Sequence, residues 1–231
     1  MAQSESNLID VKIENTLINL SNILANARIK FEYDRMHLGI NERINKISIG
    51  YIGEFLTSAY LTSKNIPFLH FINVGEYDKG YDFIIDSKFF DVKTTVFRES
   101  NMSFDSFRKI IYNKYHLYVA KDQGQYHNSK AEFYIQVLVT ADKTKALLCG
   151  YTKKDNLKPS HNKNNIYQAM EVPISELTPM EKMNTDEDLL PRCWNCGSVI
   201  ISGRQFVEYQ MAQSFLKHKM ILCPSCQKAM T

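Results

Sequence analysis

The sequence has no apolar run that approaches the roughly 20 residues of a membrane-spanning helix. Its first seven residues also lack the basic start and apolar core of a secretory signal peptide, so we expect a cytoplasmic protein that does not contact a membrane. Proline and glycine are scarce, with 6 and 9 residues in a chain of 231, and no internal repeat is present. These features exclude fibrous, low-complexity and membrane-spanning classes. They leave a globular chain with room for one domain and a small appendage.

Charge of one sign is also not in large excess, since the formal net charge is +3 at pH 7. Its distribution is uneven: residues 192–231 contain five Lys or Arg and one Glu, while the rest of the chain contains 23 basic and 24 acidic residues. The resulting basic bias of the C-terminal region is weak. It is compatible with a nucleic-acid surface but does not establish one.

Cysteine is sparse, and four of the five cysteines form two Cys-x-x-Cys pairs, Cys193 with Cys196 and Cys223 with Cys226. In a cytosolic chain such pairs indicate metal binding before disulfides. Four thiolates complete a tetrahedral shell, so we predict a structural Zn²⁺ with no open position for catalysis. The fifth cysteine, Cys149, lies in an apolar strand-like run and is predicted to be a small buried side chain and not a nucleophile.

Two other interpretations of the paired cysteines are weaker. HNH nucleases also contain such pairs, but they need a histidine with an acidic partner between them. His218, the only histidine in that interval, is flanked by lysines. A redox pair is disfavoured because neither pair lies in a thioredoxin-like βαβ context.

Arg204, Lys217 and Lys219 could contact phosphates, and a solvated basic face is an equal alternative.

Hydrophobic periodicity divides the rest of the chain into helices and strands. It predicts a helix or helix pair over 8–30, a helix over 41–63 and a basic amphipathic helix over 103–116. Strand-like runs are predicted over 67–74, 81–85, 88–95, 117–120, 132–140 and 146–151, with the last run closing the sheet. This order favours an α/β fold in which helices flank one mixed sheet.

We expect four regions along the chain. An N-terminal helical segment (1–40) precedes the core (41–180), and an acidic, polar linker (181–191) leads to a small zinc-ribbon module (192–231). Gly50 lies inside the core's first helix, as does Gly53, although glycine lowers helix stability. Small residues there would let the helix approach a sheet closely, which would compensate.

A candidate catalytic site comes from two strand-like segments. Asp91 and Lys93 are two residues apart in a strand and therefore share a face. A hairpin turn at Asp86–Ser87 can bring Asp82 beside Asp91, so that both carboxylates converge on one ion.

Two adjacent carboxylates repel one another in a partly desolvated site, and a magnesium ion would remove that repulsion. Lys93 would hold a hydroxide-forming water or neutralise the transition state, and Glu54, on the preceding helix, would complete the metal shell or orient the water. Phosphodiester hydrolysis needs this combination of a hard cation and a nearby positive group.

Glu54, Asp82 and the Asp91-to-Lys93 motif, in an α-β-β-β-α-β order, resemble the PD-(D/E)xK superfamily of restriction enzymes, Holliday-junction resolvases and repair nucleases. The resemblance covers residues 41–155. It implies a restriction-endonuclease-like fold, with Asp82 and Asp91 as ligands of Mg²⁺ or Mn²⁺. It also implies that Lys93 is the catalytic lysine and Glu54 the helix acid.

The function expected from this resemblance is a metal-dependent DNA endonuclease of the restriction, junction-resolving or repair type. Its partner would be duplex or branched DNA, and a homodimer stays open. The alternative is a catalytically silent nucleic-acid-binding or assembly protein on a nuclease-like fold. An Asp-x-Lys motif alone is weak evidence for catalysis, because it is common in exposed strands. The enzyme is favoured because Asp82 occurs together with Asp91 and Lys93.

Overall fold

The computed structural model describes residues 7–30, 38–72, 80–97, 103–120, 129–160 and 169–186, together with Leu189 and Cys226. The chain divides into two compact units, Met1–Glu181 and Lys182–Thr231. The first unit has the predicted α/β organisation, a mixed sheet with flanking helices. In the second unit, Met183 and Leu189 are fully buried.

Three α-helices and nine strands occur in the described part of the chain. In chain order they are β1 (Ile9–Lys12), α1 (Asn15–Arg28), α2 (Ile40–Ser63), β2 (Phe68–His70), β3 (Phe83–Ile85), β4 (Lys88–Phe97), α3 (Phe104–Lys114), β5 (His116–Ala120), β6 (Phe133–Thr140), β7 (Lys145–Lys153), β8 (Lys158–Pro159) and β9 (Ala169–Pro173). Short 3₁₀ turns cover Lys154–Asn156, Ile174–Glu176 and Met180–Asn184.

The main sheet has six strands in the order β1-β7-β6-β4-β3-β2. Strands β4 and β6 are parallel, with Asp91 beside Tyr134, and the other neighbours are antiparallel. Nearly every residue of β6 and β7 is buried, as expected for central strands that are covered on both faces. The mixed sheet predicted from the sequence is therefore present.

Strand β1 corrects the prediction of a helix over the whole of 8–30. Residues 9–12 alternate between half-buried and exposed and pair with β7, with Ile9 opposite Leu148. The helix starts only at Asn15. Four residues are too few to distinguish period 2 from period 3.6, and pairing with a strand that is distant along the chain decided the outcome. The sheet consequently ends at β1, and β7 lies inside it.

A second sheet, β5-β9-β8, also departs from the prediction of one sheet. Strand β5 pairs with β9, a strand that the sequence pattern did not indicate. Buried side chains of β5 and β9, such as Leu117 and Val172, join Phe107 and Ile111 of α3 in one cluster with the main sheet. Helix α3 starts where the Ser103 side chain accepts a hydrogen bond from a backbone N–H of its first turn.

The hairpin between β3 and β4 turns at Asp86 and Ser87, whose φ angles are 48° and 67°. Positive φ at both central residues is typical of a type I′ turn, which suits the twist of a two-residue hairpin. The turn pairs Ile85 with Lys88 and sets the register of the whole hairpin.

Helix α2 packs against β4 at Gly53. A methyl group at this position would lie 1.9 Å from Thr94 Oγ1 and 3.0 Å from Thr94 Cβ, so only glycine allows this approach. At Gly50 a methyl group would meet no described atom within 4 Å. The expected close approach to a sheet is confirmed for Gly53 and wrong for Gly50.

The two glycines make a matched pair of substitutions. Gly53→Ala should lower the free energy of unfolding by about 1–3 kcal/mol, because overpacking against Thr94 exceeds the gain in helix propensity. Gly50→Ala should raise it by up to about 1 kcal/mol, since alanine favours the helix and meets open space. Urea unfolding measures both, and Thr94→Ala should partly restore the Gly53→Ala variant. Equal stabilisation by both alanines would show that α2 can leave β4 without loss.

Candidate active site

Asp82 lies directly before β3 and is hydrogen-bonded to β4. Its backbone N–H donates to Phe90 O at 2.8 Å, and its Oδ2 accepts from the backbone N–H of Val92 at 2.7 Å. Phe83 pairs with Phe90, and the Asp82 carboxylate before it reaches the backbone of β4 at Val92, the residue that follows Asp91. The hairpin therefore brings together the two carboxylates that the sequence singled out.

Lys93 forms an ion pair with Asp91, with Nζ 2.7 Å from Oδ2. The Lys93 and Asp91 side chains are only 22% and 14% exposed, and the ammonium lies 5.8 Å from the centre of the Tyr134 ring. Burial alone would lower the pKa of Lys93, but the charge and hydrogen bond of Asp91 and the charge of Asp82 raise it. Lys93 is therefore a cation at neutral pH.

The surroundings of Asp82 disfavour the ionised form of its carboxyl group. Burial has the largest effect and raises the pKa of Asp82 well above its usual range, and the negative charges of Glu54 and Asp91 raise it further. The hydrogen bond from the Val92 N–H and the positive charge of Lys93 oppose this shift. Among the described groups whose charges act on Asp82, Glu54 and Asp91 are negative and Lys93 is positive, so their sum is negative. A cation beside Asp82 would relieve this excess.

Glu54 reaches the site from helix α2. Its carboxylate is buried, and Oε2 lies 3.0 Å from Nε2 of His70 on β2. Helix α2 covers the face of β4 that carries Thr94, and strand alternation turns Asp91 and Lys93 to the other face. Glu54 thus acts on Asp82 through its charge, from the helix on the other side of the strand.

His70 is a site residue that the sequence interpretation missed. Its ring stacks on Phe83 with centroids 4.3 Å apart and meets Phe55 edge-on at 5.8 Å. Burial lowers the pKa of His70 to about 4, so the ring is neutral at pH 7. The sequence did contain a signal. His70 is two residues after Phe68 in an apolar strand-like run, so the two side chains share a face and His70 is predicted to be buried.

Gln136 of β6 supports the backbone of the site. It is fully buried at a β-bulge, and its Nε2 donates to Lys93 O at 2.8 Å and to Val137 O at 2.7 Å. Its Oε1 has no hydrogen-bond partner among the described residues. The Gln136 side chain therefore ties β4 to its parallel neighbour β6 at Lys93.

The donor set suits a hard divalent cation. Magnesium is usually held by one or two carboxylates, with water and phosphate oxygens completing its shell. Among the described residues, each of Asp82 and Asp91 commits one oxygen to a protein donor, which leaves the second oxygen of each for a metal. No group of three or more His, Cys, Asp or Glu in the described segments is arranged to hold a metal ion, so the fit rests on this pair.

The structure tests the prediction for Cys149 but describes only one of the four paired cysteines. Cys149 is fully buried in β7 and burial raises its pKa, which confirms the prediction of an inert, buried thiol. Three of the predicted zinc ligands, Cys193, Cys196 and Cys223, lie outside the described residues, and the fourth, Cys226, is half-buried.

The predicted nucleic-acid contacts Arg204, Lys217 and Lys219 also lie outside the described residues. No described helix is both long and apolar enough to cross a membrane. Comparison with known proteins finds no match to the chain among family models, curated proteins or solved structures.

The two aspartates should respond differently to removal of their charge in metal-free buffer. Asp82→Asn should raise the free energy of unfolding at pH 7 by on the order of 1 kcal/mol, because the folded state raises the pKa of Asp82. The gain should shrink as the pH falls and vanish below about pH 3, where Asp82 is protonated in both the folded and unfolded states. Asp91→Asn should lower stability by about 1–3 kcal/mol, since it leaves Lys93 without its partner. Urea unfolding in EDTA measures both, and equal effects would contradict this electrostatic asymmetry.

Proposed function

We propose that this chain is a magnesium-dependent DNA endonuclease of the PD-(D/E)xK type. The observation that carries the proposal is the hairpin geometry, which brings the Asp82 carboxylate to the Val92 N–H beside Asp91 and holds Lys93 2.7 Å from Asp91. Two carboxylates that can hold a cation and a protonated lysine suit metal-dependent phosphodiester hydrolysis. Their convergence from residues 82, 91 and 93 gives the resemblance a physical basis.

In this proposal Asp82 and Asp91 hold the Mg²⁺ or Mn²⁺, which supplies Lewis acidity and an activated water when bound. Lys93 stays protonated beside Asp91, so it acts as a hydrogen-bond donor and not as a general base. It donates to a phosphate oxygen as negative charge builds up in the transition state. Glu54 adds negative charge near Asp82 and so favours binding of the cation there.

Two features also support the catalytically silent alternative. The Lys93–Asp91 ion pair and the Glu54–His70 hydrogen bond satisfy these groups within the protein. A scaffold that kept the fold for binding nucleic acid or assembling a complex would need no more. The raised pKa of Asp82 favours the enzyme, because a pure scaffold would gain stability by replacing that carboxylate.

The deciding experiment incubates the full chain with plasmid, linear, single-stranded and four-way-junction DNA, with Mg²⁺ or EDTA. Asp82→Asn and Lys93→Ala should each lower the cleavage rate at least about 100-fold, because each removes charge stabilisation from the reaction. Magnesium should raise the melting temperature of the unaltered protein but not of Asp82→Asn.

Two matched controls are available on the same hairpin. Asp86→Asn changes an aspartate at the turn, and Lys88→Ala changes a lysine of β4 whose ammonium pairs with Glu132 at 3.3 Å. Both should cut at the unaltered rate. If no DNA is cut and magnesium leaves the melting temperature unchanged, the silent scaffold is the correct function.

We further propose that Cys193, Cys196, Cys223 and Cys226 bind one structural Zn²⁺. The proposal rests on the spacing of the two Cys-x-x-Cys pairs, because each pair supplies two thiolates from one turn. Residues 192–231 hold few apolar side chains, so zinc would supply much of their folding free energy. Basic residues of this module would then contact DNA phosphates.

Elemental analysis of the purified full chain should find one zinc per molecule. Cys193→Ser should reduce this content and increase proteolysis after residue 181, because three ligands hold zinc less tightly. Cys149→Ala, which alters the buried cysteine of β7, should keep one zinc and serves as the control. A zinc-free protein with four reduced thiols at this end would contradict the ribbon.

A further inference from the structure

Glu54 and His70 form a buried polar contact beside the candidate site, and the proposed reaction gives His70 no role. The two side chains are 8% and 10% exposed, and Oε2 lies 3.0 Å from Nε2. They come from different elements, α2 and β2, and β2 is hydrogen-bonded to the strand that follows Asp82. The backbone N–H of Phe71 also donates to Asp82 O at 2.8 Å.

Both the ring and the proton of His70 are held in place. Phe83 stacks on one face with an interplanar angle of 14°, and Phe55 contacts the ring edge-on. The ring is neutral at pH 7, and a carboxylate only accepts hydrogen bonds, so Nε2 carries the proton and donates to Glu54. A neutral donor anchors the carboxylate without cancelling its charge.

We propose that His70 is a positioning residue that holds the Glu54 carboxylate in the orientation needed for catalysis. The inference rests on the proposed nuclease function and adds a residue that its sequence motif does not contain. Glu54 acts on Asp82 through its charge, so its orientation matters for the charge balance of the site. A lysine or arginine at this place would neutralise Glu54, whereas the neutral imidazole fixes it and leaves its charge available.

The alternative is a purely structural role, in which His70 only fills the space between α2 and β2. Two substitutions separate the roles of the ring and of the proton. His70→Phe keeps an aromatic ring on Phe83 but removes the donor. His70→Gln removes the ring but keeps an N–H at nearly the position of Nε2.

The experiment measures kcat and KM for plasmid cleavage by the full chain with magnesium, at a temperature where circular dichroism shows every variant folded. His70→Phe should lower kcat by about 10–100-fold with KM within about twofold, as is usual when an outer-shell partner is lost. His70→Gln should keep at least about a third of kcat. His116→Phe, at a half-buried histidine of β5, should cut at the unaltered rate.

A double variant tests whether His70 acts through Glu54. Glu54→Gln should lower kcat by itself, and adding His70→Phe to it should cause no further loss, because the two effects are not additive when one residue acts through the other. Independent, multiplying losses would overturn the proposal. Equal losses in His70→Phe and His70→Gln would also overturn it, since the ring and not the donor would then matter.

The outcomes also separate this proposal from the nuclease function. If the unaltered protein cuts DNA and His70→Phe cuts at the same rate, the positioning role is wrong and the nuclease stands. If the unaltered protein cuts no DNA with magnesium or manganese, the nuclease function fails and the role of His70 in it fails with it.

Discussion

The β3–β4 hairpin sets the positions of both aspartates of the candidate site. A two-residue turn with left-handed backbone at Asp86 and Ser87 pairs Ile85 with Lys88, and the hairpin lets Asp82 reach the Val92 N–H beside Asp91. A slip of one residue would turn one carboxylate to the opposite face of the sheet. Non-glycine residues with positive φ are unfavourable by about 1 kcal/mol each, so packing elsewhere must hold this turn. The pairing of β4 with β6 and the approach of α2 at Gly53 provide that packing.

Charge balance follows from this register. Glu54 and Asp91 are the acids whose charges act on Asp82, and among the described residues Lys93 is the cation that opposes them there. Lys93 compensates Asp91, and neutral His70 satisfies a hydrogen bond of Glu54 without compensating its charge. The remaining excess falls on Asp82 and raises its pKa. Such an arrangement favours the arrival of a cation.

Local patterns predicted the parts of the fold that depend on near neighbours in the chain. The 3.6-residue period gave α2 over nearly its full length, and period 2 with the Asp86–Ser87 turn indicated the hairpin. Strand β1 was beyond such patterns, because its four residues pair with β7 more than 130 positions later. The departure of β5 into a second sheet likewise depended on β9, whose five residues have no distinctive periodicity.

What the sequence by itself determined is the local geometry of the candidate site. Asp91 and Lys93 share a face because alternate side chains of any strand do, and a two-residue turn lets Asp82 reach Asp91. Only the tertiary structure decided that Gly53 contacts Thr94 while Gly50 does not, and that Glu54 meets His70. Periodicity constrains directions within one element. The angle and distance at which a helix meets a strand come from the packing of side chains that lie far apart in the chain.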